Sequence, residues 1–298
     1  MKRKVVVGLL TDEQEFQLMQ AADARAAGER TGLEVEVVFA GNNAIQQIHQ
    51  LYSFVHAPEE QRPVAIVVEA VSRDGMQRLA RNATKAGIAW VQQWRAEYLA
   101  ALRAENPEVP VASISVDENE VGRVQALQLR ALLPERGEAL LVQGPVDSET
   151  ASRRLDGFQK GMEGSAVRLR QVLNGDWTAK SAEAALASFL RLKTTDGFRL
   201  DAVVCQNDSM ASGALDALRA TRNDWAKLVL IGCDGLPHGG KRMVEEGRLA
   251  ATVIKPTTTG AAIDLVARTR RGEPAPLDTI LGVTSHPPLE DLARRRPR

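Results

Sequence analysis

The sequence predicts an α/β protein built on parallel sheets, arranged as two lobes of similar plan. Three observations carry this. Short apolar runs alternate with helical patterns almost throughout the chain, the signature of parallel α/β architecture. The runs are continuously apolar rather than alternating, as strands are when helices cover both faces of a sheet. The pattern also occurs twice, in about five strand–helix units per half, with no long Pro/Gly/Ser linker between the halves.

The elements follow in order. Lys4–Leu10 reads as the first strand and leads into a helix over Gln14–Gly32. Leu33–Ala40 precedes Ala44–His56, and Val64–Val68 precedes Gly75–Gly87. Ile88–Val91 precedes Glu97–Glu105, and Pro110–Ser115 closes the first half. In the second half, Ala139–Gln143 precedes Thr150–Met162, and Val167–Leu173 precedes Ser181–Leu192. Ala202–Cys205 precedes Ser209–Thr221, and Leu228–Gly232 precedes a helix around Lys241–Glu246. After a strand at Ala250–Ile254, a helix at Thr257–Arg271 and a last strand around Leu277–Val283 exceed what the second half needs. They are expected to return to the first lobe, giving several chain crossings.

A chain of 298 residues, 44% hydrophobic and 26% charged, is long enough for two substantial cores and has the composition of a soluble globular protein. Formal net charge is zero, which argues against a nucleic-acid partner. The basic tail from Arg294 to Arg298 reads as a solvated terminus. The opening residues imitate a secretory leader, but Val5–Leu10 is too short for a signal core and no small-residue cleavage site follows. No apolar stretch approaches the ~20 residues needed to span a membrane. Two cysteines, Cys205 and Cys233, end apolar strands and read as buried thiols. Four scattered histidines and no CxxC give no metal site, and no cofactor motif is present.

The site signal lies at two strand ends. In Ala202–Leu215 an apolar strand ends in Gln206-Asn207-Asp208 and a small-residue helix starts at once. In LVLIGCDG, Asp234 follows a second apolar strand. Side chains just past strand ends in a parallel sheet face the crevice where ligands bind. Asn207 and Asp234 are therefore candidate contacts for a small polar molecule. The alternatives are an N-cap for Asn207 and an Asp-Gly turn for Asp234.

These residues resemble the type I periplasmic binding proteins, ribose/galactose type, whose fold is shared by the effector domain of lac-repressor-like regulators. The resemblance runs from about Val5 to Val283. It rests on Arg154 with Gly157-Phe158, Gln206-Asn207-Asp208 with Met210-Ala211, and Gly232-Cys233-Asp234-Gly235. Asp117…Gly122 and Gly247–Thr252 add to these. It implies two Rossmann-like doubly wound lobes joined by a three-strand hinge, a sugar between them, and closure on binding. The implied lobes are 1–114 plus 255–281 and 115–254 plus 282–298.

By the same resemblance, Asn207, Asp234 and Arg154 contact the sugar, Arg95 is the retained half of an Asp-Arg pair, and Trp177 closes over the ligand. Trp94 either forms a clamp with Trp177 or is ordinary packing. After the first strand, Glu13 and Phe16 stand where the ribose type has Asn and paired phenylalanines. Lys255 stands where the family has Gln, and is either a site residue or a solvent-facing hinge residue. Arg95, Arg154 and Lys255 facing Glu13 and Asp234 make a charged pocket, so a sugar acid, a sugar phosphate or a zwitterion is expected over plain ribose.

The function expected is non-catalytic binding of a sugar or sugar derivative for an ABC importer with a membrane permease partner. The alternative is a cytoplasmic ligand sensor without its own DNA-binding domain, since the first strand begins at Lys4. The location is periplasmic if a leader precedes this sequence, and cytoplasmic otherwise. No G-x-G-x-x-G, P-loop or G-x-S-x-G supports an enzyme.

Overall fold

The computed structural model describes residues 4–193, 199–221 and 228–294. The first elements are β1 (Lys4–Leu9), α1 (Glu15–Thr31), β2 (Glu34–Phe39), α2 (Ala44–Val55), β3 (Ala65–Val68), α3 (Met76–Lys85), β4 (Ala89–Gln92), α4 (Tyr98–Glu105) and β5 (Val111–Val116). There follow α5 (Glu118–Leu132), β6 (Gly137–Gln143), α6 (Glu149–Gly161), β7 (Val167–Asn174), α7 (Ala179–Lys193), β8 (Ala202–Cys205), α8 (Asp208–Thr221) and β9 (Val229–Asp234). The last are α9 (Arg242–Glu245), β10 (Ala251–Ile254), α10 (Thr259–Arg270), β11 (Asp278–Leu281), β12 (Thr284–His286) and α11 (Leu289–Leu292).

The chain forms two compact units, Met1–Val116 with Thr257–Leu281, and Asp117–Pro256 with Gly282–Arg298. It passes from one to the other at Val116/Asp117, Pro256/Thr257 and Leu281/Gly282. Unit 1 holds a six-stranded sheet of order β11-β5-β4-β3-β1-β2, parallel throughout. Unit 2 repeats that order as β12-β10-β9-β8-β6-β7, with β12 antiparallel to β10.

Successive strand residues serve opposite faces, and both faces are apolar. In unit 1, Val5, Val7, Ala65 and Val67 pack with Ala21, Ala24 and Ala27 of α1 and Ile263 and Val266 of α10. Val6, Ile66, Val68 and Trp90 pack with Leu51 of α2, Leu79 of α3 and Leu102 of α4. In unit 2, Leu140, Val142 and Val203 meet Leu186 of α7 and Ala214 of α8. Ala139, Leu141 and Val204 meet Leu129 of α5 and Phe158 of α6. Two-sided burial is why the strands read as unbroken apolar runs.

Two elements differ from expectation. The helix α5 is missing from the series read off the sequence, although its start is well marked. The Asp117 carboxylate accepts from the amides of Asn119 (3.0 Å) and Glu120, and Glu118 and Glu120 sit in the first turn, where carboxylates suit the helix dipole. The last strand, expected over Leu277–Val283, is β11, and a further strand, β12, follows it. β11 pairs with β5 in unit 1, and β12 pairs with β10 in unit 2, divided at Gly282–Val283. Residues 295–298 of the basic tail lie outside the described residues.

Candidate functional site

In both sheets the chain order reverses at the strand that opens the unit, β1 in unit 1 and β6 in unit 2. Such a reversal opens a crevice beyond the C-terminal ends of the strands. In unit 2 that end carries five of the expected residues, Arg154, Trp177, Asn207, Asp234 and Lys255.

Arg154 is placed by its motif. Gly157, one turn on, lets α6 press its backbone onto α5. A Cβ there would lie 1.9 Å from the Asn119 carbonyl oxygen, and a Cβ on Gly122 would lie 1.9 Å from that of Arg154. Phe158 is fully buried beneath this contact. The arrangement directs Arg154, 2% exposed, across the strand ends. Its Nε donates to Glu118 Oε2 at 2.7 Å and its Nη1 donates to the Gln206 carbonyl. Its guanidinium carbon stands 5.6 Å from the centre of the Trp177 ring. Burial works against the charge of Arg154, but the carboxylates of Glu118 and Asp234 outweigh it and the pKa is raised.

Glu118 is the centre of a three-residue ionic network. Its Oε1 lies 3.6 Å from Lys255 Nζ, and the two side chains are 17% and 11% exposed. Lys255 therefore turns inward, and solvent is not its partner. Burial pushes the Glu118 carboxyl up, yet Arg154 and Lys255 overcome this and hold it below the usual carboxylate range. Two of the three cations counted toward an anionic ligand thus already share a carboxylate. Glu118 escaped the sequence reading together with its helix, although the Asp117 cap and its acidic first turn were signals for both.

Asn207 is an N-cap as well as a strand-end residue. Its Oδ1 accepts from the Met210 amide at 2.8 Å, and its Nδ2 donates to the Trp177 carbonyl at 2.9 Å. Trp177 has φ 73°, a left-handed conformation uncommon for a bulky residue. Its indole lies against Gly144, where a Cβ would come within 2.2 Å of the ring. The ring is half-buried, with apolar core on one side.

Asp234 ends β9 with φ 106° and is followed by Gly235 at φ 62°. This strained turn is held by Asp208, a buried residue of the Gln206-Asn207-Asp208 motif to which the sequence alone assigns no role. Asp208 Oδ2 accepts from the Gly235 amide and Oδ1 accepts from the Thr252 hydroxyl, both at 2.8 Å. Gln206 is also structural. Its Oε1 accepts from the Gly144 amide at 3.0 Å, and its Nε2 donates to the Ala151 carbonyl at 2.9 Å.

The remaining four lie at the strand ends of unit 1. Glu13 is exposed in the loop after β1, and Phe16 is buried in the first turn of α1. Trp94, 6% exposed, packs into the core of α2, α3 and α4, with Arg73 5.8 Å from its ring centre. Arg95 is exposed and acts electrostatically on Asp278. Near them is a polar network that the sequence reading did not find. Gln20 Nε2 donates to Gln93 Oε1 at 2.6 Å and to Glu69 Oε2 at 3.3 Å, and Gln17 Nε2 donates to the same Glu69 oxygen at 3.0 Å.

Both cysteines are buried free thiols, and burial pushes each well above the usual thiol range. Among the described residues, no group of three or more His, Cys, Asp and Glu is placed to hold a metal ion. No described helix is long and apolar enough to cross a membrane.

The model of the periplasmic binding protein domain matches residues 5–273. The chain belongs to that family. It is a family of non-catalytic solute-binding proteins. The D-xylose-binding periplasmic protein of Escherichia coli K12 is 26% identical over 260 residues, covering 85% of this chain and 73% of that protein. The chain spans about half the length of the ribose-binding relatives it matches. A crystal structure of an ABC-transporter periplasmic solute-binding protein from Actinobacillus succinogenes with bound D-allose has TM-score 0.84 at 17% identity, over 98% of this chain and 100% of that one. The myo-inositol-binding protein of Caulobacter, bound to myo-inositol, has TM-score 0.80 at 21% identity, over 99% and 98%. These structures show the shared fold.

Proposed function

We propose that the chain is the solute-binding component of an ABC importer and takes a sugar or polyol at the strand ends of unit 2. The observation that carries this reading is the convergence there of Arg154, Asn207 and Asp234 beside the half-buried Trp177 ring. Sugars and polyols offer apolar C–H faces and many hydroxyls. A ring with a fork of donors, an amide and a carboxylate matches both features. The family membership supports the reading, as do relatives whose names specify D-xylose, D-allose and myo-inositol.

Glu13, Phe16 and Arg95 are proposed as further contacts from the strand ends of unit 1. Binding draws the two units together, and a permease is the membrane partner of a periplasmic protein of this kind. A thermal-shift panel of pentoses, hexoses, inositols, uronates and sugar phosphates tests the proposal, because a ligand that binds only the folded state raises the melting temperature. A hit should also lower the radius of gyration in small-angle scattering. A panel with no stabilising sugar or polyol contradicts the assignment.

A further inference from the structure

The three cations expected in the site suggested an anionic ligand, but the structure gives two of them a shared, largely covered counter-ion. Glu118 meets both Arg154 and Lys255 through different oxygens, at 2.7 and 3.6 Å. The groups that face one another at this edge are Arg154 and Lys255 against Glu118 and Asp234, since Asp234 also acts on the Arg154 charge. Arg154 and Lys255 therefore already share a carboxylate before any ligand arrives. Buried charge is tolerated only when paired, so a net charge brought by a ligand would lack a partner.

Position matters as much as charge. Glu118 follows the first chain crossing and Lys255 precedes the second, so the pair joins two crossing segments on the unit 2 side. The Lys255 amide also donates to the Asp234 carbonyl at 3.2 Å, which links the pair to the candidate ligand carboxylate. Lys255 stands where the resemblance implies an uncharged glutamine, and Glu118 is the carboxylate 3.6 Å from its Nζ.

We propose that Glu118 is a specificity-determining residue, the internal counter-ion that restricts this site to uncharged sugars and polyols. This rests on the binding function proposed above and sets its charge class. With the Glu118 carboxylate removed, Arg154 and Lys255 lose the carboxylate they share, and a ligand carboxylate can take the vacant role.

The test uses the full chain as wild type, Glu118→Gln and Lys255→Gln. Calorimetry with myo-inositol, D-allose and D-glucuronate is run beside melting curves in sulfate and in chloride of equal ionic strength. Wild type should bind a neutral probe, reject glucuronate and melt alike in both salts. Glu118→Gln should shift its glucuronate-to-neutral preference by about tenfold or more and be stabilised by sulfate. Lys255→Gln, which keeps the Arg154–Glu118 pair, should reject glucuronate at least as firmly as wild type. The sulfate arm needs no sugar. If neither neutral probe binds wild type while Glu118→Gln alone responds to sulfate, the sugar assignment falls and the counter-ion role stands. A Glu118→Gln variant with unchanged preference and no sulfate response overturns the proposal. So does a wild type that prefers glucuronate, or a Lys255→Gln variant that gains it. If Glu118→Gln does not fold, the Lys255→Gln result decides alone.

Discussion

Asn207 makes two protein bonds and is also assigned to the ligand, so its substitution should have separable effects. Asn207→Ala removes the oxygen that accepts from the Met210 amide and the amide that donates to the Trp177 carbonyl. Loss of an N-cap costs about 0.5–2 kcal/mol, and loss of one ordinary hydrogen bond costs about 0.5–1.5 kcal/mol. Together they predict a loss of about 1–3.5 kcal/mol, or roughly 2–14 °C in melting temperature at 2–4 °C per kcal/mol. Asn207→Ser keeps an oxygen in capping position and loses only the Trp177 bond, so its melting temperature should fall by roughly 1–6 °C. If the side chain also contacts a sugar hydroxyl, both variants should lose affinity by about 1–3 kcal/mol, roughly 5- to 150-fold. Circular dichroism melts and calorimetric titration with the best panel sugar separate the two effects. Asn207→Ser at wild-type affinity, with Asn207→Ala altered only in its melt, would make the residue a cap and refute its place in the site.

Asp208→Ala strands the Gly235 amide and the Thr252 hydroxyl, so it should destabilise by about 2–6 kcal/mol and expose the Gly235 amide to hydrogen exchange. An unchanged melt and a protected Gly235 amide would show that the turn at Asp234 holds without it. Because the Glu118 carboxyl titrates below its unfolded value, its contribution to stability is complete above the usual carboxylate range and is lost as pH falls through the lowered folded value. The drop in melting temperature on acidification should thus be smaller in Glu118→Gln than in wild type, and equal slopes would contradict the linkage. Cys205 and Cys233, buried with raised pKa, should resist a thiol reagent in native protein and react on unfolding. Rapid native labelling would contradict their burial.

Much of this was legible in the sequence because the relevant signals are local. Unbroken apolar runs marked the strands, and the polar residues directly after them, Asn207 and Asp234, marked the site edge. What escaped depends on distant partners. Nothing near Glu118 in the chain shows that Arg154 and Lys255 will converge on it, and nothing near Asp208 shows that its carboxylate will hold Gly235 and Thr252. Trp94 admitted two readings in the sequence, and its burial in the unit 1 core appears only once α2, α3 and α4 are assembled. The strand β12 was hidden because Thr284-Ser285-His286 carries no apolar residue, and it becomes a strand only by pairing with the distant β10.

The strand ends of unit 2 are proposed to hold an uncharged sugar or polyol through Arg154, Asn207 and Asp234. Calorimetric titration of wild type and Asp234→Ala with the best panel ligand tests it most directly. The account predicts one ligand per chain, a neutral ligand, and an affinity reduced about 5- to 150-fold in a variant that remains folded. Equal affinity in the folded variant, or a wild type that binds no neutral sugar or polyol, would contradict it.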